Sequence, residues 1–180
     1  SSLSKIEGLN DLSMTTNALT LTKLAPRLKE AGLKRLNISI DSLQAERFAT
    51  LTRGGKLQKV LDGIDVAYQA GFGTIEAPIK LNIVVIAGKN DDEVVDFIHY
   101  ASAHPAVIEP RFIEYMPFGS RIHKNTHSQS LRDQLTAHTP LIPLSKKNQR
   151  VGPASYFEAT NYGINVGFIS PISNRFCSTC

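Results

Sequence analysis

The sequence predicts an α/β fold in which short strands alternate with amphipathic helices and pair in parallel. Three observations carry this reading. Apolar runs of strand length occur at 12–15, 35–40, 80–86 and 111–116, the segments between them repeat apolar residues with a 3.6-residue period, and glycines close the first two helical segments. A helix that crosses over between two strands returns the chain to the same end of the sheet, so parallel pairing follows.

The elements can be justified in order. After the run at 12–15, Leu21, Leu24, Ala25, Leu28 and Ala31 trace one helical face that ends at Gly32, which places Pro26 in the first turn or two of that helix. In 35–40, Asn37 and Ser39 alternate with Leu36, Ile38 and Ile40, the period of a strand. Leu57, Val60, Leu61, Ile64, Ala67 and Tyr68 form the apolar face of a longer helix with Gly71 at its C-terminal cap. The third strand, 80–86, is followed by Asn90 and Glu93 at capping-box spacing and a helix bearing Val94, Phe97, Ile98 and Ala101. The fourth strand is 111–116. Lys80 and Arg111 therefore begin their strands.

After Pro117 the rhythm stops. A polar loop with Arg121, His123, Lys124 and His127 leads to a short amphipathic helix at 131–137 and a basic stretch at 146–150. Residues 156–170 read as a hairpin turning near 161–163, followed by the cysteine pair. This tail is expected to be an appendage on the main α/β unit.

Composition narrows the function classes. A chain of 180 residues with 42% hydrophobic and 20% charged positions has the content of a globular domain. Its longest apolar runs are interrupted well before the roughly 20 residues of a membrane span. The first eight residues have no secretory pattern, so a cytoplasmic location is expected. A net charge of +4 on scattered basic residues argues against nucleic acid, and leaves room for a small anionic ligand.

In parallel α/β folds, reactive groups gather at the C-terminal ends of strands, because the loops there line a common mouth. Those ends carry Thr15, Thr16 and Asn17, then Ser39 and Asp41, then Glu114 and Met116. One such residue alone is ordinarily a cap or turn former; the recurrence points to a ligand mouth. Lys80 and Arg111 are either surface cations with their stems over apolar atoms or inward cations requiring an anion such as a polyphosphate. The histidines at 99, 104, 123, 127 and 138 lack ligand-like spacing and are assigned to solvent or capping. Cys177 and Cys180 are the chain's two cysteines, and a two-residue gap lets both thiolates bind one metal centre. A redox pair normally opens a helix after a strand, whereas this pair follows Pro171, so part of a larger metal site is the better reading.

The strings MTTNALTLTKLAPRLKEAGLKRLNISIDSL, FATLTRGG, KLNIVVIAGKNDDEVVDF, RFIEYMPFG, VGPASYF and VGFISPISNRFCSTC, in this order, span almost the whole chain. Together they resemble the GTP 3',8-cyclases, radical S-adenosylmethionine enzymes of molybdenum cofactor biosynthesis. The resemblance implies a partial TIM-like (β/α) barrel over 1–117, followed over 118–180 by the start of a C-terminal region that holds a second [4Fe–4S] cluster. It implies that one cluster cleaves S-adenosylmethionine, that the 5'-deoxyadenosyl radical removes hydrogen from the ribose 3' carbon of GTP, and that this carbon attacks C8 of guanine. Ser39 and Met116 match positions that contact S-adenosylmethionine; Thr15, Lys80 and Arg111 match positions that contact GTP; Cys177 and Cys180 match ligands of the second cluster. GTP, S-adenosylmethionine and, by pathway, the downstream cyclic pyranopterin monophosphate synthase are the implied partners, and a homodimer is the implied assembly.

The chain also departs from that pattern. The three closely spaced cysteines of the first cluster and the Gly-Gly-Glu-Pro segment are absent, the third cysteine of the second cluster and the arginines after it are missing, and the usual TTNG turn reads TTNA with Ala18. The expectation is a piece of the enzyme, inactive by itself, in which Ala18 matters little unless its turn needs positive φ. The alternatives are a non-catalytic nucleotide-binding or interaction remnant, and another radical enzyme acting on a peptide or cofactor precursor.

Overall fold

The computed structural model describes residues 3–116, 128–145 and 152–173. Among the described residues, seven strands form one mixed sheet in the order β1-β2-β3-β4-β7-β6-β5. The chain divides into two compact units, one of residues 1–81 and 104–108, the other of 82–103 and 109–180.

In the first unit, β1 (Ser13–Thr16) pairs in parallel with β2 (Arg35–Ser39), with Ser13 beside Arg35 and Thr15 beside Asn37. Between them runs α1 (Leu21–Glu30), and after them α2 (Ala45–Leu51) and α3 (Leu57–Gln69). Helices α1 and α3 pack on one another, burying Leu21 and Ala25 of one and Val60, Ile64 and Ala67 of the other. Both helices end as the glycines predict. The Gly32 and Leu33 amides donate to the carbonyls of Lys29 and Leu28, and those of Gly71 and Phe72 to Tyr68 and Ala67. In each case the glycine has φ near +90° (90° and 89°) and the next residue is buried, the hydrophobic contact that accompanies this stop. Pro26 lies inside α1 at its sixth residue, within the first two turns as expected.

Strand β3 (Ile79–Val85) spans the division between the units, and Lys80 is its second residue. In the second unit α4 (Val94–Ala103) follows a short 3-10 turn at Asp91–Glu93, and β4 is Ile108–Glu114. Arg111 is thus mid-strand rather than at its start, and Pro110 before it is a buried residue of β4. Asn90 makes no side-chain cap at the 3-10 turn. Its amide instead accepts from the Ile86 N–H at 2.8 Å and donates to the Val84 carbonyl at 2.9 Å, tying the strand end to the helix start.

The C-terminal segment is built into the sheet itself. Helix α5 (Ser128–Thr136) precedes β5 (Leu141–Pro143), β6 (Ser155–Ala159) and β7 (Ile164–Ile169). The β6–β7 hairpin is antiparallel, as is β5–β6, while β7 runs parallel to β4 with Arg111 beside Gly167. Phe112 and Phe168 lie tilted to one another with ring centroids 5.9 Å apart, with Phe97 edge-on to Phe112 and Phe157 edge-on to Phe168, forming an aromatic core.

Candidate functional site

The residues singled out in the sequence fall in both units: Thr15, Ser39 and Lys80 in the first, Arg111 and Met116 in the second. Cys177 and Cys180, Arg121, His123, Lys124, His127 and the 146–150 stretch lie outside the described residues.

In the first unit the chain leaves β1 through a turn that uses its own side chains. The Ala18 N–H donates to the Thr16 hydroxyl at 3.1 Å, and the Leu19 N–H to the Asn17 amide oxygen at 3.3 Å. Thr16 and Asn17 are therefore turn formers, the plainer of the two readings open to a strand-end polar residue. Ala18 has φ 61°, so the turn does need positive φ, and it does so with a fully buried alanine. Gly63 of α3 makes this possible: a Cβ there would stand 2.8 Å from the Ala18 carbonyl oxygen.

Thr15 points the other way from Thr16 and is exposed. Its hydroxyl accepts from the Asn37 side-chain amide at 3.4 Å. Ser39, two residues beyond Asn37, ends β2 and is exposed too. Because alternate residues of a strand share a face, Thr15, Asn37 and Ser39 lie on one face at the C-terminal ends of two adjacent parallel strands. The structure brings these hydroxyls together; Asn37 was legible only as half of an alternation. Lys80 is 5% exposed, which removes the surface-cation reading, since a buried ammonium requires an anion or polar cage.

In the second unit Arg111 is half-buried and donates its Nε–H to the Asn82 amide oxygen at 2.8 Å. Neither Asn82 nor Gly167, the cross-strand partner of Arg111, stood out in the sequence. Glu114, at the end of β4, is 2% exposed and serves as an anchor. One carboxylate oxygen accepts from the Ile172 and Ser173 amides at 3.1 and 3.0 Å, and the other from the Ser173 hydroxyl. Met116, two residues on, is 42% exposed. His104 caps a turn, its Nδ1 accepting from the Ala106 N–H while its Nε2 faces Asp65, both at 3.0 Å. Among the described residues no group of three or more His, Cys, Asp or Glu could hold a metal, and no helix is long and apolar enough to cross a membrane.

The family model of the radical SAM superfamily matches residues 2–101, more than half of the chain. The chain belongs to the radical SAM superfamily. A second model, Molybdenum Cofactor Synthesis C, matches residues 108–180 of this radical SAM chain. Curated relatives point the same way. The chain is 44% identical over 184 residues to a GTP 3',8-cyclase of Lactiplantibacillus plantarum, an alignment covering 97% of this chain and 52% of the relative. It is 45% identical to a GTP 3',8-cyclase of Marinobacter nauticus, covering 96% and 52%. It is 44% identical to the protein called GTP 3',8-cyclase 2 of Pseudomonas aeruginosa, covering 96% and 51%. The radical SAM chain thus spans about half the length of the curated relatives it matches.

Proposed function

We propose that the protein carrying this chain is a GTP 3',8-cyclase. It would convert GTP to (8S)-3',8-cyclo-7,8-dihydroguanosine 5'-triphosphate, using S-adenosylmethionine and two [4Fe–4S] clusters, in the making of the molybdenum cofactor. One observation carries the reading: a radical SAM match and a molybdenum cofactor synthesis match follow one another on a single chain, and relatives bearing the cyclase name align with nearly all of it.

The residues present fit the ligands this reading requires. Exposed hydroxyls at Thr15 and Ser39 share a face at strand ends, where a polar ligand is received in parallel sheets. In this reading Ser39 and the exposed Met116 hold S-adenosylmethionine, while Thr15 and the cations Lys80 and Arg111 hold GTP, the cations on its phosphates. The donor chemistry of Cys177 and Cys180 suits an iron–sulfur cluster, of which two thiolates supply part of the ligand set. When bound, the clusters and S-adenosylmethionine supply the one-electron chemistry that takes a hydrogen atom from the ribose. The chain's own residues hold the two small molecules in register. A boundary between barrel and C-terminal region near residue 117, a cytoplasmic homodimer, and delivery of product to the cyclic pyranopterin monophosphate synthase complete the proposal.

The test is anaerobic turnover by the full-length reconstituted protein, with the cyclised nucleotide identified by mass. Ser39→Ala and Met116→Ala are expected to raise the S-adenosylmethionine concentration needed for half-maximal rate, while GTP binding measured separately stays as in the parent. Absence of the cyclised product from the unaltered protein defeats the reading.

A further inference from the structure

We propose that Asn82 and Gly167 position the Arg111 guanidinium as a phosphate-binding group, and so set how tightly the protein holds the triphosphate of its nucleotide. The proposal rests on the reading of Arg111 as a phosphate cation, and it names the two residues that make it one.

The case begins with space. Arg111 and Gly167 are cross-strand partners in the parallel β4–β7 pair. A Cβ at position 167 would stand 3.1 Å from Arg111 Cγ and 3.0 Å from Tyr156 Cε1, closer than ordinary contact. Gly167 has no positive φ, so the backbone does not ask for glycine there. What asks for it is the arginine stem together with the Tyr156 ring, which occupy the space where a side chain would otherwise be.

Direction comes from Asn82. Its amide oxygen takes the Arg111 Nε–H at 2.8 Å, and one such bond fixes the plane of a rigid guanidinium, and with it the fork of its terminal nitrogens. The chemistry of that acceptor matters. An amide oxygen accepts the bond without cancelling the positive charge, whereas a carboxylate there would form an ion pair and compete with any phosphate. One oxygen of Glu109, the carboxylate two residues back on β4, accepts from the Asn165 amide at 3.3 Å.

Four variants of the full-length protein separate the possibilities: Arg111→Ala, Asn82→Asp, Asn82→Ala and Gly167→Ala. Each is titrated with GTP, and with guanosine as the phosphate-free probe. Arg111→Ala is expected to weaken GTP binding by about 10- to 100-fold, the loss of a charge-assisted contact, and to leave guanosine unchanged. Asn82→Asp keeps the Nε acceptor and hence the thermal midpoint, yet is expected to weaken GTP by roughly 10-fold and to flatten the salt dependence, because the ion pair neutralises Arg111. Asn82→Ala and Gly167→Ala should also weaken GTP selectively over guanosine. If Arg111→Ala binds GTP as the parent does, the phosphate reading itself fails. If Arg111→Ala weakens GTP while Asn82→Asp binds it normally, the reading survives and the positioning role is overturned.

Discussion

Ala18 shows how a single residue can carry a cost that its neighbours arrange. Left-handed backbone costs an L-residue roughly 1–2 kcal/mol, whereas glycine adopts it freely. At φ 61° Ala18 bears that strain, and burial of its methyl group returns about 0.8 kcal/mol. The two nearly cancel, so Ala18→Gly is expected to change stability little, with a gain of up to about 1 kcal/mol in chemical denaturation. A loss larger than about 1 kcal/mol would mean that the methyl group outweighs the backbone. Gly63→Ala should instead destabilise by about 1–3 kcal/mol, because its new Cβ would meet the Ala18 carbonyl oxygen, a backbone atom that cannot swing away. At this scale the site was partly legible. Thr15 and Ser39 announced themselves as polar residues at strand ends, whereas Thr16 and Asn17 carried the same signal for a local reason, the turn. Asn82 gave none, since an asparagine in an alternating strand looks like any solvent-facing position until Arg111 is seen to reach it.

Elements with a long apolar face were readable, and short ones were not. Helices α1 and α3 showed period and stop together; α2 has seven residues, one of them buried, and no side-chain cap, so there was little pattern to find. Strand β5 has three residues including Pro143 and exists because β6 pairs with it, a cause that lies elsewhere in the chain. Strand β4 was read from Arg111, whereas it begins three residues earlier, at Ile108. Its far end carries a consequence. The Glu114 carboxylate ties the end of β4 to residues 172–173, just beyond β7, through bonds to a charged acceptor; a glutamine could keep its oxygen on the two amides and turn its NH2 to the Ser173 hydroxyl, but without the charge that strengthens them. Glu114→Gln is therefore expected to destabilise by about 1.5–3 kcal/mol, the range for a hydrogen bond to a charged group. Hydrogen exchange should quicken at the Ile172 and Ser173 amides in particular. Unchanged exchange at both would show that the anchor does not hold in solution.

For the whole chain, the parallel α/β class was legible because alternation of strand and helix constrains topology, while the closing antiparallel strands make the sheet mixed through long-range pairing that no local pattern reports. Chemistry at this scale is governed by the count of thiolates. Iron–sulfur cubanes are held by cysteine thiolates, ordinarily about four to a cluster. A centre that leaves one iron open for S-adenosylmethionine still draws about three from protein. The 180 residues contain two cysteines, four positions from one end to the other, and the proposed function gives both to a single centre. A polypeptide of these 180 residues, reconstituted anaerobically with iron and sulfide, is therefore expected to form no 5'-deoxyadenosine from S-adenosylmethionine in the presence of GTP and reductant. What iron it takes up should be lost readily to a chelator, because two thiolates leave most iron positions to exchangeable ligands. The measurement is chromatographic, against a control without protein. Formation of 5'-deoxyadenosine above that control would mean that side chains other than cysteine complete a radical-generating centre in this chain.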